Sequence, residues 1–190
     1  TTRENVLIHA GVINQVLDFT TPLPFRFGTI VGQDRLDEYV RTNRSSIIAA
    51  LKRVRGAVEM SVRIIRPQNS KEQLVERTTA AGGGQGKGAE FLVRRRRELM
   101  ESEWNAGAGE IASWLEERLR GLVRESATRI HGRGAMALTL ANLVDRKGLA
   151  EYKEQVAMAI DSRNDLRFLT SGPWPPYSFC ATSLELPLSR

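Results

Sequence analysis

The chain is poor in residues with redox or metal chemistry, and it has no long apolar run. It holds one cysteine, Cys180, so no disulfide can form within it, and this usage fits a reducing cytoplasm. Its two histidines, His9 and His131, make no metal-ligand cluster with that cysteine. No apolar run approaches the length of a membrane span. The printed sequence does not begin with the charged region and following apolar region that are typical of a secretory signal. We therefore expect no metal site, no membrane partner and no secretory leader.

Positive charge is in excess, and most of the excess lies in one region. The formal net charge is +6, which makes nucleic acid the first partner to consider. Residues 33–66 carry the excess, with eight basic against four acidic side chains. Residues 89–129, by contrast, balance eight arginines with eight acids. This distribution argues against nucleic acid as the partner and leaves a basic helix that could dock on an acidic protein face.

Hydrophobic periodicity predicts the elements of the first half of the chain. Prolines and a glycine are expected to end them. We predict a helix capped by Asp34 and ended by Gly56, and a half-buried strand whose alternate residues are apolar. The predicted elements are a helix over 3–18, a strand over 23–31, a helix over 35–55, a strand over 57–66 and a loop over 67–88.

The second half of the chain also shows the helical and the strand periodicity of apolar residues. The predicted elements are a helix over 90–127 with a break at 105–109, a hairpin of 127–130 with 136–145, a helix over 149–161 and a strand over 165–170. The order from residue 57 is β-α-β-β-α-β, which is the ferredoxin-like arrangement of four antiparallel strands with both helices on one face. Residues 1–32 supply only a helix and a strand, as the second half of another such unit would. The predicted class is α+β.

The segment from Ser171 to Phe179 concentrates three prolines, a glycine and three aromatic rings. Because proline fixes φ and removes a backbone donor, we predict a stiff extended ribbon that is neither helix nor central strand. Rings on such a ribbon bury much apolar area at little cost in entropy. Two interpretations remain open: the segment closes over its own core, or it presents a surface to a partner protein.

This segment resembles the closing motif of the gas vesicle protein F/L family. A second motif of that family is similar to the stretch from Leu23 to Thr29, Leu-Pro-Phe-Arg-Phe-Gly-Thr, which follows a helix containing His9. The two motifs lie in the expected order and cover nearly the whole chain. The resemblance implies two ferredoxin-like domains. Family members usually have further strands and a helix before the His9 helix, so either the protein is truncated or the printed sequence omits its start.

The expected division follows from this resemblance together with the predicted elements. Residues 1–32 are expected to be the remnant of an N-terminal ferredoxin-like domain, and residues 33–56 a connecting helix. Residues 57–190 are expected to form a C-terminal ferredoxin-like domain with an extended helical segment and a proline-rich aromatic tail.

The resemblance also implies a function, location and partners. It implies a gas vesicle assembly or minor structural protein, located at the gas vesicle in the cytoplasm, that contacts the main shell protein and other accessory proteins. We expect no enzyme activity, no cofactor and no small-molecule substrate. The residues that we expect to contact partners are Phe25, Arg26, Phe27, Arg41, Arg44, Lys52, Arg55, Trp174, Tyr177 and Phe179.

Two other functions remain as alternatives. Residues 81–88 resemble a phosphate-binding loop with Lys87, but Gly88 stands where Ser or Thr would bind Mg²⁺, so a linker is favoured. The arginines at 94–97 spread around a helix, where nearby glutamates can pair with them. A ferredoxin-like module that binds nucleic acid through an arginine-rich surface is the main alternative.

Overall fold

The structure is a computed structural model that describes residues 3–25, 27–65, 87–131 and 136–180. Three helices come first, and strands and helices then follow one another through the rest of this chain. The helices are α1 (Arg3–Phe19), α2 (Gln33–Thr42), α3 (Arg44–Val54), α4 (Lys87–Arg118), α5 (Leu149–Asp161) and α6 (Tyr177–Cys180). The strands are β1 (Ala57–Ile65), β2 (Glu125–Ile130), β3 (Met136–Asp145) and β4 (Arg167–Trp174). The mixed composition confirms the α+β class.

The four strands form one antiparallel sheet in the order β2-β3-β1-β4. β1 and β3 are central, so each is hydrogen-bonded on both sides. At the middle of the sheet Val62 pairs with Leu140 on one side and with Thr170 on the other. β2 and β4 are the edges, and proline is tolerated in an edge strand because its missing donor can face away from the ladder.

Alternation along β1 separates an inner from an outer face of the sheet. The inner face carries Val58, Met60, Val62 and Ile64, and the outer face carries Ala57, Glu59, Ser61 and Arg63. Both α4 and α5 pack on the inner face. The main apolar core therefore includes Leu115 and Leu119 of α4, Tyr152 and Val156 of α5, and inner-face residues of β1 and β3.

The outer face is also covered near one end of the sheet, in agreement with the interpretation that the segment from Ser171 to Phe179 closes over its own core. β1 was predicted to be half-buried, yet Glu59 and Ser61 are buried as well as its apolar residues. A second apolar cluster joins Val54, Ala57, Ala141, Leu143 and Phe179, with Leu23 and Ala127 packed against it. The half-buried prediction is therefore wrong, because α3 and the C-terminal motif cover this part of the outer face.

The N-terminal elements differ from prediction in two places. The strand predicted over 23–31 is absent from the described residues, which instead form irregular backbone and a turn at Phe27 and Gly28. Gly28 has a φ of 88°, a value that an extended strand does not take. The helix predicted over 35–55 is split at Asn43, whose side-chain amide donates to the Tyr39 carbonyl at 2.9 Å. Gly32, not Asp34, occupies the N-cap position of α2.

The C-terminal elements are closer to prediction. α5 has the predicted bounds, and the hairpin is present. α4 ends at Arg118 rather than 127 and continues through the predicted break at 105–109, so two glycines do not interrupt it. The loop predicted over 67–88 lies outside the described residues, except that Lys87 and Gly88 open α4.

The described helices differ in length, but none of them is both long and apolar enough to cross a membrane. The longest, α4, carries charged residues along its length.

Candidate partner-binding surface

The two sequence motifs meet on the outer face of the sheet. Leu23, from the first motif, packs against the cluster that contains Phe179, from the second. Beside this contact, Thr21 Oγ1 donates to the Ala57 carbonyl at 2.9 Å and is buried. Arg53 reaches the Phe179 carbonyl from α3 at 3.4 Å. Two segments about 150 residues apart in sequence are therefore in direct contact in the fold.

Gly172 allows the second motif to approach the sheet closely. Its φ is 121°, in the region that side chains rarely adopt. A Cβ at this position would meet the Glu59 carbonyl oxygen and Met60 Sδ, each at 2.8 Å. Glycine is therefore required both by the backbone angle and by the space.

The aromatic segment is not the extended ribbon that its composition predicts. Ser171 to Trp174 form the last residues of edge strand β4, and Trp174 lies opposite Glu59. Tyr177 to Cys180 form the helical turn α6. The prediction is wrong for α6. The prolines come before this turn, and at that position they remove no helical hydrogen bond, so a helix can form after them.

A buried carboxylate holds this helical turn. Glu59 is 8% exposed and accepts two hydrogen bonds from Ser178, from its backbone N at 2.7 Å and from its Oγ at 2.8 Å. Burial raises the pKa of Glu59 above its ordinary value, while the bonds from Ser178 oppose that rise. Nearby, burial and the Glu59 charge raise the pKa of Cys180 to about 12.

The three aromatic residues of the second motif have different surroundings. Trp174 is 42% exposed and Tyr177 is partly exposed. Phe179 is 3% exposed and belongs to the outer-face cluster. Phe179 was expected to contact a partner, but in this structure it has almost no surface to offer. Its place in the cluster makes it the anchor of α6.

The first motif contributes two rings, each paired with another ring. The Phe25 ring meets Tyr39 of α2 edge-on, with centroids 6.2 Å apart. The Phe27 ring meets His9 of α1 edge-on at 5.3 Å, and Phe27 is 38% exposed. Arg26, between them in sequence, lies outside the described residues. Phe27 is thus the residue of this motif with an exposed ring in the described structure.

The cationic candidates lie on α2, α3 and the turn after α3. Arg41, Arg44, Lys52 and Arg55 all have exposed side chains. Within the described residues, none of the four has a carboxylate within ion-pair distance. Their positive charges are therefore exposed to solvent and are not used in ion pairs within the described fold.

Sequence reasoning missed three residues that organise this surface, namely Arg53, Glu59 and Ser178. Arg53 donates its Nε to Glu125 Oε2 at 2.7 Å while its other nitrogen pairs with Oε1, so it links α3 to β2. Alternation had placed Glu59 on the outer face, but nothing in the sequence named Ser178 as its partner.

In the part of the chain that the structure describes, no group of three or more His, Cys, Asp or Glu side chains is placed to hold a metal ion. The arrangement presents aromatic edges and positive charge, which are suited to contact with another macromolecule.

Comparison with known proteins assigns this chain to a protein family. The family model described as gas vesicle synthesis protein GvpL/GvpF matches residues 1–181. The chain therefore belongs to the GvpL/GvpF family, which confirms the resemblance of the two motifs.

Relatives and solved structures agree with this assignment. Gas vesicle protein L of a Streptomyces species is 29% identical over 187 residues, covering 93% of this chain and 69% of that protein. Gas vesicle protein L of Haloferax mediterranei is 25% identical over 200 residues, covering 92% of this chain and 60% of that protein. The chain thus spans well under the full length of these relatives.

Crystal structures of GvpF share the fold. The protein from an Anabaena species gives a TM-score of 0.71 at 20% identity, over 95% of this chain and 78% of that one. The protein from Microcystis aeruginosa gives a TM-score of 0.69 at 19% identity, over 95% of this chain and 79% of that one. Family membership confirms the expected role in gas vesicle assembly and the gas vesicle as the location.

Proposed function

We propose that this chain assists gas vesicle assembly by contacting the main shell protein and other accessory proteins. The observation that carries the proposal is the junction of the two motifs at Leu23 and Phe179. The junction fixes the segments that bear Trp174 and Phe27 while leaving both of these rings exposed. Since fixed, exposed aromatic rings lose little entropy on binding, they are suited to anchor a protein contact.

A physical need for such a contact exists in the assembly of an apolar wall. An apolar shell subunit aggregates unless its surface is covered before it joins the wall. Trp174 and the partly exposed Tyr177 would cover apolar surface, and Phe25, Arg26 and Phe27 would extend the contact. Arg41, Arg44, Lys52 and Arg55 would attract an acidic protein face. Phe179 acts indirectly, by holding α6 in place.

We also propose a finer description of the fold. Residues 57–180 have the element order of the ferredoxin-like unit, and the strand order β2-β3-β1-β4 supports that assignment. In this proposal residues 1–32 are the remnant of a first such domain, residues 33–56 connect the two, and residues 57–190 are the second domain with its tail.

Vesicle formation in cells that express the chain with two substitutions, Trp174→Ala and Tyr177→Ala, tests the proposed surface. We expect vesicle formation to be lost. The matched control is Phe91→Ala on α4, which removes a ring that is 56% exposed and outside both motifs, and it should leave vesicles intact. Thermal unfolding of each purified variant establishes that it folds. A folded double variant that still makes vesicles contradicts the proposed surface.

A further inference from the structure

Three arginines gather on the outer face of the sheet, away from α6. Arg63 on β1 and Arg167 on β4 point to this face, since their neighbours Ile64, Leu166 and Phe168 pack in the inner core. Arg129 on β2 points to the same face as Arg63, because both lie opposite Thr139 of β3. We call these three residues the arginine cluster. They are distinct from the basic residues of α2 and α3.

Strand pairing fixes their spacing. Arg63 and Arg129 both lie opposite Thr139, one on each side of β3. Neighbouring strands are about 4.8 Å apart, so these two arginines are separated by roughly 10 Å. Arg63 pairs with Leu169 and is therefore the diagonal neighbour of Arg167, at about 7 to 8 Å. Flexible arginine side chains at these spacings can reach a single ligand.

The arginine cluster has no compensating acid among the described residues. All three side chains are exposed, and none makes an ion pair or side-chain hydrogen bond there. Elsewhere the fold does pair its arginines, as in Arg53 with Glu125 and Arg163 with Asp165. Three like charges held together by a rigid sheet repel one another, and an acidic ligand would relieve that repulsion.

The surroundings of the arginine cluster favour a protein ligand over nucleic acid. Single-stranded nucleic acid bound on a sheet stacks its bases on aromatic rings, typically on the central strands. Here β1 and β3 present no ring on the outer face, and the imidazole of His131 beside them is half-buried and hydrogen-bonded to the Thr139 hydroxyl at 3.0 Å. Leu169, which is 54% exposed, lies opposite Arg63 instead. A side chain of this kind fits the apolar residues that are interspersed with carboxylates in an acidic protein segment.

We propose that the arginine cluster binds an acidic segment of a partner protein, with its carboxylates on Arg63, Arg129 and Arg167 and an apolar side chain on Leu169. This surface lies on the part of the outer face that α6 does not occupy. Its use is therefore independent of Trp174, Tyr177 and the basic residues of α2 and α3.

Fluorescence anisotropy with a labelled oligo-glutamate peptide tests the proposal on the full chain. The test variant carries Arg63→Gln, Arg129→Gln and Arg167→Gln. The matched control carries Arg3→Gln, Lys147→Gln and Lys153→Gln, which remove the same charge from exposed positions outside both proposed surfaces. Because each exposed charge contact contributes modestly, we expect the test variant to bind about tenfold more weakly or worse, and the control to bind within about twofold of the original chain.

The same titration with an oligouridylate of equal length distinguishes the two kinds of ligand. We expect the RNA to bind more weakly than the peptide and to lose affinity equally in both variants. Equal losses of peptide binding in the two variants would show a general effect of charge and overturn the proposal. Tighter RNA binding that the test variant abolishes would overturn it in favour of a nucleic-acid site, and unchanged peptide binding by that variant would overturn it outright.

Discussion

Ser178 donates two hydrogen bonds to Glu59, although the two residues are 119 positions apart in the sequence. This contact joins the C-terminal helical turn to a central strand of the sheet. It lies beside the cluster in which the two family motifs meet, so the position of the exposed aromatic residues depends on it.

Replacing Glu59 with glutamine should change how stability depends on pH. Because burial raises the pKa of Glu59, the folded chain holds this proton more tightly than the unfolded chain does. The stability that this protonation contributes is complete below the unfolded pKa and is lost as pH rises through the folded pKa. We therefore expect the free energy of unfolding of Glu59→Gln, relative to the original chain, to increase as pH rises above the ordinary pKa of a glutamate.

Urea denaturation across this pH range measures the difference. Glu154→Gln, which removes an exposed carboxylate from α5, is the control and should show a smaller dependence. A relative stability of Glu59→Gln that stays constant or falls with pH would contradict the assignment of Glu59 as a carboxyl group made less acidic by burial.

Phe179 and Trp174 should differ sharply in their effect on stability. Phe179→Ala removes a ring from the outer-face cluster and should lower the free energy of unfolding by about 3 to 5 kcal/mol. Trp174→Ala removes a ring that is 42% exposed and lies outside this cluster, and it should cost less, no more than about 2 kcal/mol. Urea denaturation of both variants is the measurement, and similar costs would mean that the two residues do not divide into an anchor and a contact surface.

Cys180 provides a chemical reporter of the same turn. Its thiol is buried and its pKa is raised to about 12, so little reactive thiolate is present near neutral pH. We expect a thiol reagent to label the native chain at least about a hundredfold more slowly than the urea-unfolded chain. Phe179→Ala should accelerate labelling in the absence of urea. Fast labelling of the original chain would show that α6 does not stay docked.

The buried polar contact between β3 and α5 should behave as a coupled pair. Asn142 accepts a hydrogen bond from Ser126 Oγ at 2.8 Å and donates one to the Tyr152 hydroxyl at 2.8 Å. Asn142→Ala leaves that hydroxyl buried without its donor, and we expect a loss of about 1 to 3 kcal/mol. Tyr152→Phe should also destabilise, and the double variant should cost less than the sum of the two. Additive losses would mean that the contact contributes nothing of its own.

Local periodicity predicted much of this fold because it reflects which face of an element is buried. The pattern over 149–161 gave α5 its bounds, and alternation over 57–66 gave β1 within one residue. The regular elements from β1 to β4 depend on local patterns of this kind, and so their order could be predicted.

The parts that failed depend on contacts between distant residues. Phe179 lies in an aromatic, proline-rich segment, and the sequence therefore favoured a role in partner binding. Only its packing with Leu143 and Val54 shows that it is part of the core. Leu23 to Val31 alternates like a strand, but among the described residues it pairs with none of the strands of the sheet. The hydrogen bond between Glu59 and Ser178 could not be predicted, because a contact between residues 119 positions apart does not produce a periodic pattern in the sequence.

Co-purification with the main gas vesicle shell protein, at low and at high salt, tests the central claim most directly. We predict that the shell protein is retained at both salt concentrations and that Trp174→Ala with Tyr177→Ala abolishes retention, because apolar contacts persist when charges are screened. Retention at low salt alone would assign the contact to Arg41, Arg44, Lys52 and Arg55 rather than to the aromatic residues. Failure of the folded original chain to retain the shell protein at either salt concentration would contradict the account.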